Sequence, residues 1–156
     1  MCMPLRAPEA WRVWYDPSPL EREIILVAAL RRAIDRMFGS QRSMLVNEIK
    51  ALGQLQPGWN SYRAPAISPN AIKIALDVVD AVAHRGAPLP SAAPSPDGGV
   101  MLSWDLPTLE VQLLVDEDSL DFSVARPGNP KVIDQQSVHK VHELEYALIE
   151  RHLTVR

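Results

Sequence analysis

From Leu20 the apolar residues Leu20, Ile24, Val27, Leu30, Ile34 and Met37 recur at spacings of three and four, with Glu21, Arg31, Arg32, Asp35 and Arg36 between them. This is the helical period. It predicts a first helix over 20–38, with Ser18 as its cap, Pro19 at the first helical position and Gly39 just past its end. A second helix over 41–52 carries Leu45, Ile49 and Leu52 on one stripe, and the Gly39-Ser40 junction is either a turn or a kink. After an ordered loop over 53–66, Ser68 and Pro69 open a third helix that ends near Gly86. Its stripe of Ile72, Ala75, Leu76, Val79, Val82 and Ala83 is widened by Ile74 and Val78, so this helix is buried on two sides.

The period then changes from 3.6 to two. Residues 87–96 hold four prolines, which restrict any strand there to a sheet edge. Asp97-Gly98-Gly99 supplies a tight hairpin turn. Three alternating runs follow, with Val100, Leu102 and Trp104, then Leu109, Val111, Leu113 and Val115, then Leu120, Phe122 and Val124 pointing to one face. Short connections at 105–108 and 116–119 make successive strands antiparallel. Arg126-Pro127-Gly128-Asn129-Pro130 ends this sheet. A last helix is expected from Asp134 as cap, stapled by Ile133 and Val138 and continued by Val141, Leu144, Leu148 and Ile149. The order helix-helix-helix-sheet-helix describes an α+β fold: an antiparallel meander of three to four strands covered on one face by helices. Residues 1–17, with Trp11, Trp14 and Tyr15, read as an irregular arm, and 18–156 as one domain.

Composition narrows the class. A chain of 156 residues with 47% hydrophobic and 22% charged residues supports one packed core, and a net charge of -3 offers no global attraction to polyanions. The one cysteine, Cys2, cannot form an internal disulfide, and neither an export segment nor a spanning run is evident. A reducing, cytoplasmic setting without membrane contact is the expectation.

Candidate chemistry is sparse. His139, His142 and Glu143 share one helix, but the other carboxylates and His152 do not complete a ligand set on one face, so no metal and no cofactor is assigned. Asp116-Glu117-Asp118 lacks the length and the glycine of a calcium loop and reads as a solvated turn. Asp97-Gly98-Gly99 has neither the following helix nor the lysine of a phosphate loop. No serine stands in a nucleophile elbow, and catalytic residues are not assigned. Two candidate surfaces are left. Trp59, Tyr62 and Arg63, together with Trp11 and Trp14, are residue types that dominate protein interfaces, while the alternative for Trp59 is a plug that locks the loop to the helical core. Arg31, Arg32, Arg36 and Arg42 form a local basic patch suited to an acidic partner or to nucleic acid, within a ribonucleoprotein or alone, or simply to the negative end of a helix dipole.

Three blocks in order carry a family resemblance: Gly58-Trp59-Asn60-Ser61-Tyr62, then Ile67-Ser68-Pro69, then Pro96-Asp97-Gly98-Gly99 before a strand ending at Trp104. The stretch over 55–125 resembles a group of small bacterial and phage proteins of uncharacterised function. The resemblance implies a shared fold and an association with mobile elements and with defence or toxin–antitoxin systems. In that pattern an aspartate stands at the place of Asn60 and a glycine at that of Ser61. If the carboxylate served acid–base chemistry, Asn60 cannot, because a carboxamide does not exchange a proton. The expected function is therefore a non-enzymatic protein-binding module, an accessory or antitoxin-like component. Its partner is another protein or a second copy, and helix one and the aromatic arm are the contact elements. The motive is apolar helical surface beyond what a small sheet can cover.

Overall fold

The computed structural model describes residues 18–154. In chain order it has helices α1 (Pro19–Leu52) and α2 (Pro69–His84), strands β1 (Ser91–Pro94), β2 (Val100–Asp105), β3 (Glu110–Val115), β4 (Leu120–Arg126) and β5 (Asn129–Val138), and a closing helix. The closing helix begins as one α turn, α3 (Val141–Leu144), and continues as a π-helical segment, Glu145–Leu153. Two compact units meet in sequence between Met37 and Phe38. In the first, the described residues 18–37 comprise the start of α1 and its cap. The second holds everything else. Trp11, Trp14 and the irregular arm lie outside the described residues.

The architecture is α+β, as the two periods predict, with three differences in detail. First, the expected helices over 20–38 and 41–52 are a single helix. Gly39 neither ends nor turns it: the position has open space around it, and Ser43 Oγ donates to the Gly39 carbonyl at 2.9 Å across one turn. A glycine inside a helix weakens it by about 1 kcal/mol relative to alanine without stopping it. The N-terminus does follow its signals, because the Glu21 amide donates to Ser18 Oγ at 3.3 Å and Glu21 Oε2 accepts from the Ser18 amide at 2.8 Å, a reciprocal capping box.

Second, the sheet has five strands in the order β1-β2-β3-β4-β5, all antiparallel. β1 lies at the edge, where Pro94 is tolerated. β5 occupies the residues expected to start the last helix. Arg126 pairs with Asn129 across a tight turn in which Gly128 takes φ +70°, so the chain reverses into a strand instead of ending the sheet. Asp134 pairs with Val124 in that strand and caps nothing, and Ile133, half exposed, staples nothing. Polar residues at Asp134 and Gln136 hide the strand's period in the sequence.

Third, the closing helix starts at Val141 and widens. Leu144, Leu148, Ile149 and Leu153 are all buried, and their spacings of four and five keep one face on the core only if the helix unwinds beyond 3.6 residues per turn.

One core results in the second unit. Val100, Leu102 and Trp104 of β2, Val111, Leu113 and Val115 of β3, and Leu120, Phe122 and Val124 of β4 form its floor. Ala71, Ala75, Val78, Val79 and Val82 of α2, Leu45 and Ile49 of α1 and the buried leucines of the closing helix cover it. Each large side chain so buried stabilises by about 1.5–3 kcal/mol. Trp104 Nε1 donates to the Pro88 carbonyl at 2.7 Å, so its one polar atom is satisfied inside the core.

The two kinds of glycine respond oppositely to substitution. Gly39→Ala raises the thermal midpoint, by about 0.5–1 kcal/mol of stability, because a Cβ there meets nothing and the helix gains propensity. At Gly99 a Cβ would lie 2.6 Å from the Val115 carbonyl oxygen, so Gly99→Ala destabilises by about 1–3 kcal/mol or more. Denaturant titration of the two variants measures both signs.

Candidate functional site

The loop over 53–66 is a closed ring built by its own residues. The Gly58 amide donates to the Ala64 carbonyl at 2.7 Å, with Gly58 at φ +83°. Asn60 Oδ1 sits at the centre and accepts from the amides of Tyr62 at 2.9 Å and Ala64 at 3.1 Å. Ser61 and Arg63 take φ of 65° and 66°, a left-handed conformation that glycine adopts far more easily than serine. Trp59 is half-buried and its Nε1 donates to the Pro65 carbonyl at 3.2 Å, which fastens the ring. Tyr62 is 88% exposed and Arg63 is exposed beside it. Asn60 therefore acts as a pure acceptor here, a task an aspartate performs equally well without any proton transfer.

This ring, the start of α2 and two hairpin turns meet at one end of the sheet. The Ser68 amide donates to the Gly98 carbonyl at 2.8 Å, and a Cβ on Gly98, which has φ +92°, would lie 3.1 Å from Pro65 Cγ. Asn70 Nδ2 donates to the Glu117 carbonyl of the β3–β4 turn. The three blocks of the sequence pattern are thus neighbours in space. Ser68 stands at the N-cap position of α2 as expected, but its hydroxyl makes no cap bond, and the buried Oγ has no partner among the described residues. Four carboxylates gather nearby. Asp116 is pushed above the usual carboxylate range, first by desolvation and then by repulsion from Asp121, Asp97 and Asp118.

His139, His142 and Glu143 do not form a metal site: no group of three metal-ligating side chains occurs among the described residues. Their geometry is that of a helix start. Glu143 Oε2 accepts from the His139 amide at 3.2 Å, which holds its carboxyl below the ordinary range, and His139 Nδ1 lies 3.0 Å from the Asp118 carbonyl. A pair that sequence spacing could not reveal joins β5 to the closing helix: Asp134 Oδ2 lies 2.8 Å from His152 Nε2 and 3.3 Å from Arg151 Nη1. The bond to His152 is the main reason the Asp134 carboxyl is lowered. Arg85 likewise ties the end of α2 to Glu145 at 2.8 Å and Glu150 at 2.6 Å. No hydroxyl or thiol that could act as a nucleophile hydrogen-bonds the His152 ring among the described residues.

The basic patch divides. Arg42 is ion-paired with Asp80 of α2, and the pair borders an open cleft of about 600 Å³ lined also by Asp77, His84, Val141 and Glu145. Arg31, Arg32 and Arg36 lie exposed on α1 in the other unit, where Arg36 Nε donates to the Arg32 carbonyl at 3.2 Å. The surplus apolar surface has a definite place. Leu20, Ile24, Ile25, Leu26, Val27, Leu30, Ile34, Met37 and Phe38 are all exposed, between 42% and 69%. α2, by contrast, sinks its apolar face into the core. No helix among the described residues is long and apolar enough to cross a membrane. No family model matches the chain, and neither a curated protein nor a solved structure shows significant similarity to it.

Three consequences can be measured. Asn60→Ala leaves two loop amides without their acceptor and costs about 1–3 kcal/mol, whereas Asn60→Asp retains most of the stability; thermal melts of both variants decide. Asp116 has its carboxyl raised in the fold, so its ionised form is penalised above that pKa and the penalty vanishes as acid protonates it. Asp116→Asn therefore melts higher than the parent near neutral pH, and the difference closes on acidification. Asp134 carries the opposite sign: its contribution is complete above the ordinary carboxylate range and is lost as pH falls through its lowered value.

Proposed function

We propose that this protein is a non-enzymatic protein-binding module, an accessory component of a larger assembly, and that its contact surface is the apolar stripe over residues 20–38 of α1. The observation that carries this reading is the run of large side chains there, among which Leu20, Leu26 and Met37 are each more than 60% exposed. Isolated apolar residues on a surface are ordinary, but a contiguous stripe along some five helical turns is a docking surface in search of cover. Tyr62 and Arg63 add a second exposed contact point in the other unit. Support for a nucleic-acid role is weaker, since Arg42 is already paired with Asp80 and leaves Arg31, Arg32 and Arg36 to carry it. An antitoxin-like or defence-associated role rests on the three-block pattern alone.

The test uses the 156-residue chain as bait for the products of adjacent genes and for itself, beside the variant Val27→Glu/Leu30→Glu. Both positions are more than half exposed, so the fold tolerates the change. A complex that forms with the parent and weakens roughly a hundredfold with the variant is the expected result. Equal binding by both, or retention only on polyanions with steep salt dependence, overturns the reading.

A further inference from the structure

α1 is one helix, but its support is uneven. Leu45 is its first buried residue, and none of residues 19–44 is seated in the core. Three features meet where the unsupported length joins the seated end. The boundary between the two units falls between Met37 and Phe38. Gly39 follows, the one glycine inside a helix among the described residues, with Ser40 beside it. A Cβ at Gly39 would meet nothing, so packing gives no reason for a glycine there. Ser43 Oγ donates to the Gly39 carbonyl at 2.9 Å, a second bond to an oxygen that the helical ladder also uses. The helix here borders an open cleft of about 590 Å³, lined also by Ser43, Val46, Leu76 and Asp80.

We propose that α1 carries a hinge at Gly39-Ser40, and that the helix over residues 19–38 is a rigid lever which pivots there. Adjacent glycine and serine are a common place for a helix to bend, because glycine costs about 1 kcal/mol against alanine and serine competes for backbone bonds. Packing of the neighbouring turns overrides a cost of that size elsewhere in a fold. No side chain over residues 35–41 is buried, so nothing offsets it here. Bending loosens the ladder between residues 36–39 and 40–43. All of these are exposed, so water takes up the freed groups, and the Ser43 hydroxyl keeps the Gly39 carbonyl bonded as its amide partner draws away. The pivot does not lie farther along, because Arg42 is tied to Asp80 and Leu45 is seated in the core. Nor does it lie earlier, since the Ser18–Glu21 capping box closes the first turn and residues 20–38 contain neither glycine nor proline. The lever is about 29 Å long, and a swing of about 20° carries its tip about 10 Å. The hinge is independent of what the apolar stripe binds, and it lets the lever take the angle that its occupant imposes.

Distances between paired nitroxide labels, measured by electron spin resonance on the full chain, test the hinge. Cys2→Ser removes the native thiol. One label goes on Glu23→Cys in the lever and one on Gln112→Cys, an exposed position of β3, and labelled chain is diluted with unlabelled chain so that only intramolecular pairs are read. The pair Lys50→Cys/Gln112→Cys, wholly on the seated side, is the control. Glu23 lies about 24 Å along the helix from Gly39, so a swing of about 20° makes its distance distribution about 8 Å wider than the control's. Gly39→Ala/Ser40→Ala narrows it to the control's width. Equal widths in the parent overturn the proposal, and so does a broad distribution that the alanine pair leaves unchanged. A third pair, Glu23→Cys/Asp35→Cys, reads the lever itself, which when rigid keeps one backbone spacing of about 18 Å. A spread there as wide as that across Gly39 shows a helix that unravels instead of pivoting, and also overturns the hinge.

Discussion

A β-sheet with one apolar face has to be covered, and that requirement organises the second unit. The floor of Val, Leu, Trp and Phe on β2, β3 and β4 exposes a row of side chains that water will not solvate. α2, the closing helix and the last turns of α1 supply the cover. Leu45 and Ile49 seat the last turns of α1 in that core, while the large apolar residues earlier in the same helix stay exposed.

The functional reading grows from this imbalance. A helix of 34 residues carries more apolar surface than its few buried turns use. Among the described residues, His139 lies at a helix start and His152 ties the closing helix to β5, while Asn60 and the turn glycines hold loops. The polar groups of the chain are thus largely committed to shape. Most of the large apolar side chains exposed among the described residues lie along α1.

At the end of the sheet where the loop over 53–66 meets both hairpin turns, several residues are fixed by packing. Gly98 and Gly99 are required by close approach, to Pro65 and to the Val115 carbonyl respectively. Asn60 is required as an acceptor for two amides. Ser61 takes a positive φ that glycine adopts more easily, and its strain is local. These are packing reasons, and they account for a motif without invoking a reaction.

Much of this was legible in the chain itself. Period two in β2, β3 and β4 and the glycine turn before them specify a one-faced meander, and proline content placed β1 at an edge. Ser18, Pro19 and Glu21 announced the start of α1, since capping depends on atoms three residues apart. Other features depended on distant partners. β5 escaped notice because Asp134 and Gln136 interrupt its alternation, and Asp134 is accommodated only by His152 and Arg151 from the closing helix. The continuity of α1 through Gly39 was equally hidden, because a glycine's cost of about 1 kcal/mol decides nothing against the packing of the turns after it. Local rules are written in neighbouring residues, whereas which helix finds a sheet to cover, and which is left bare, is settled only when the whole chain competes for one buried face.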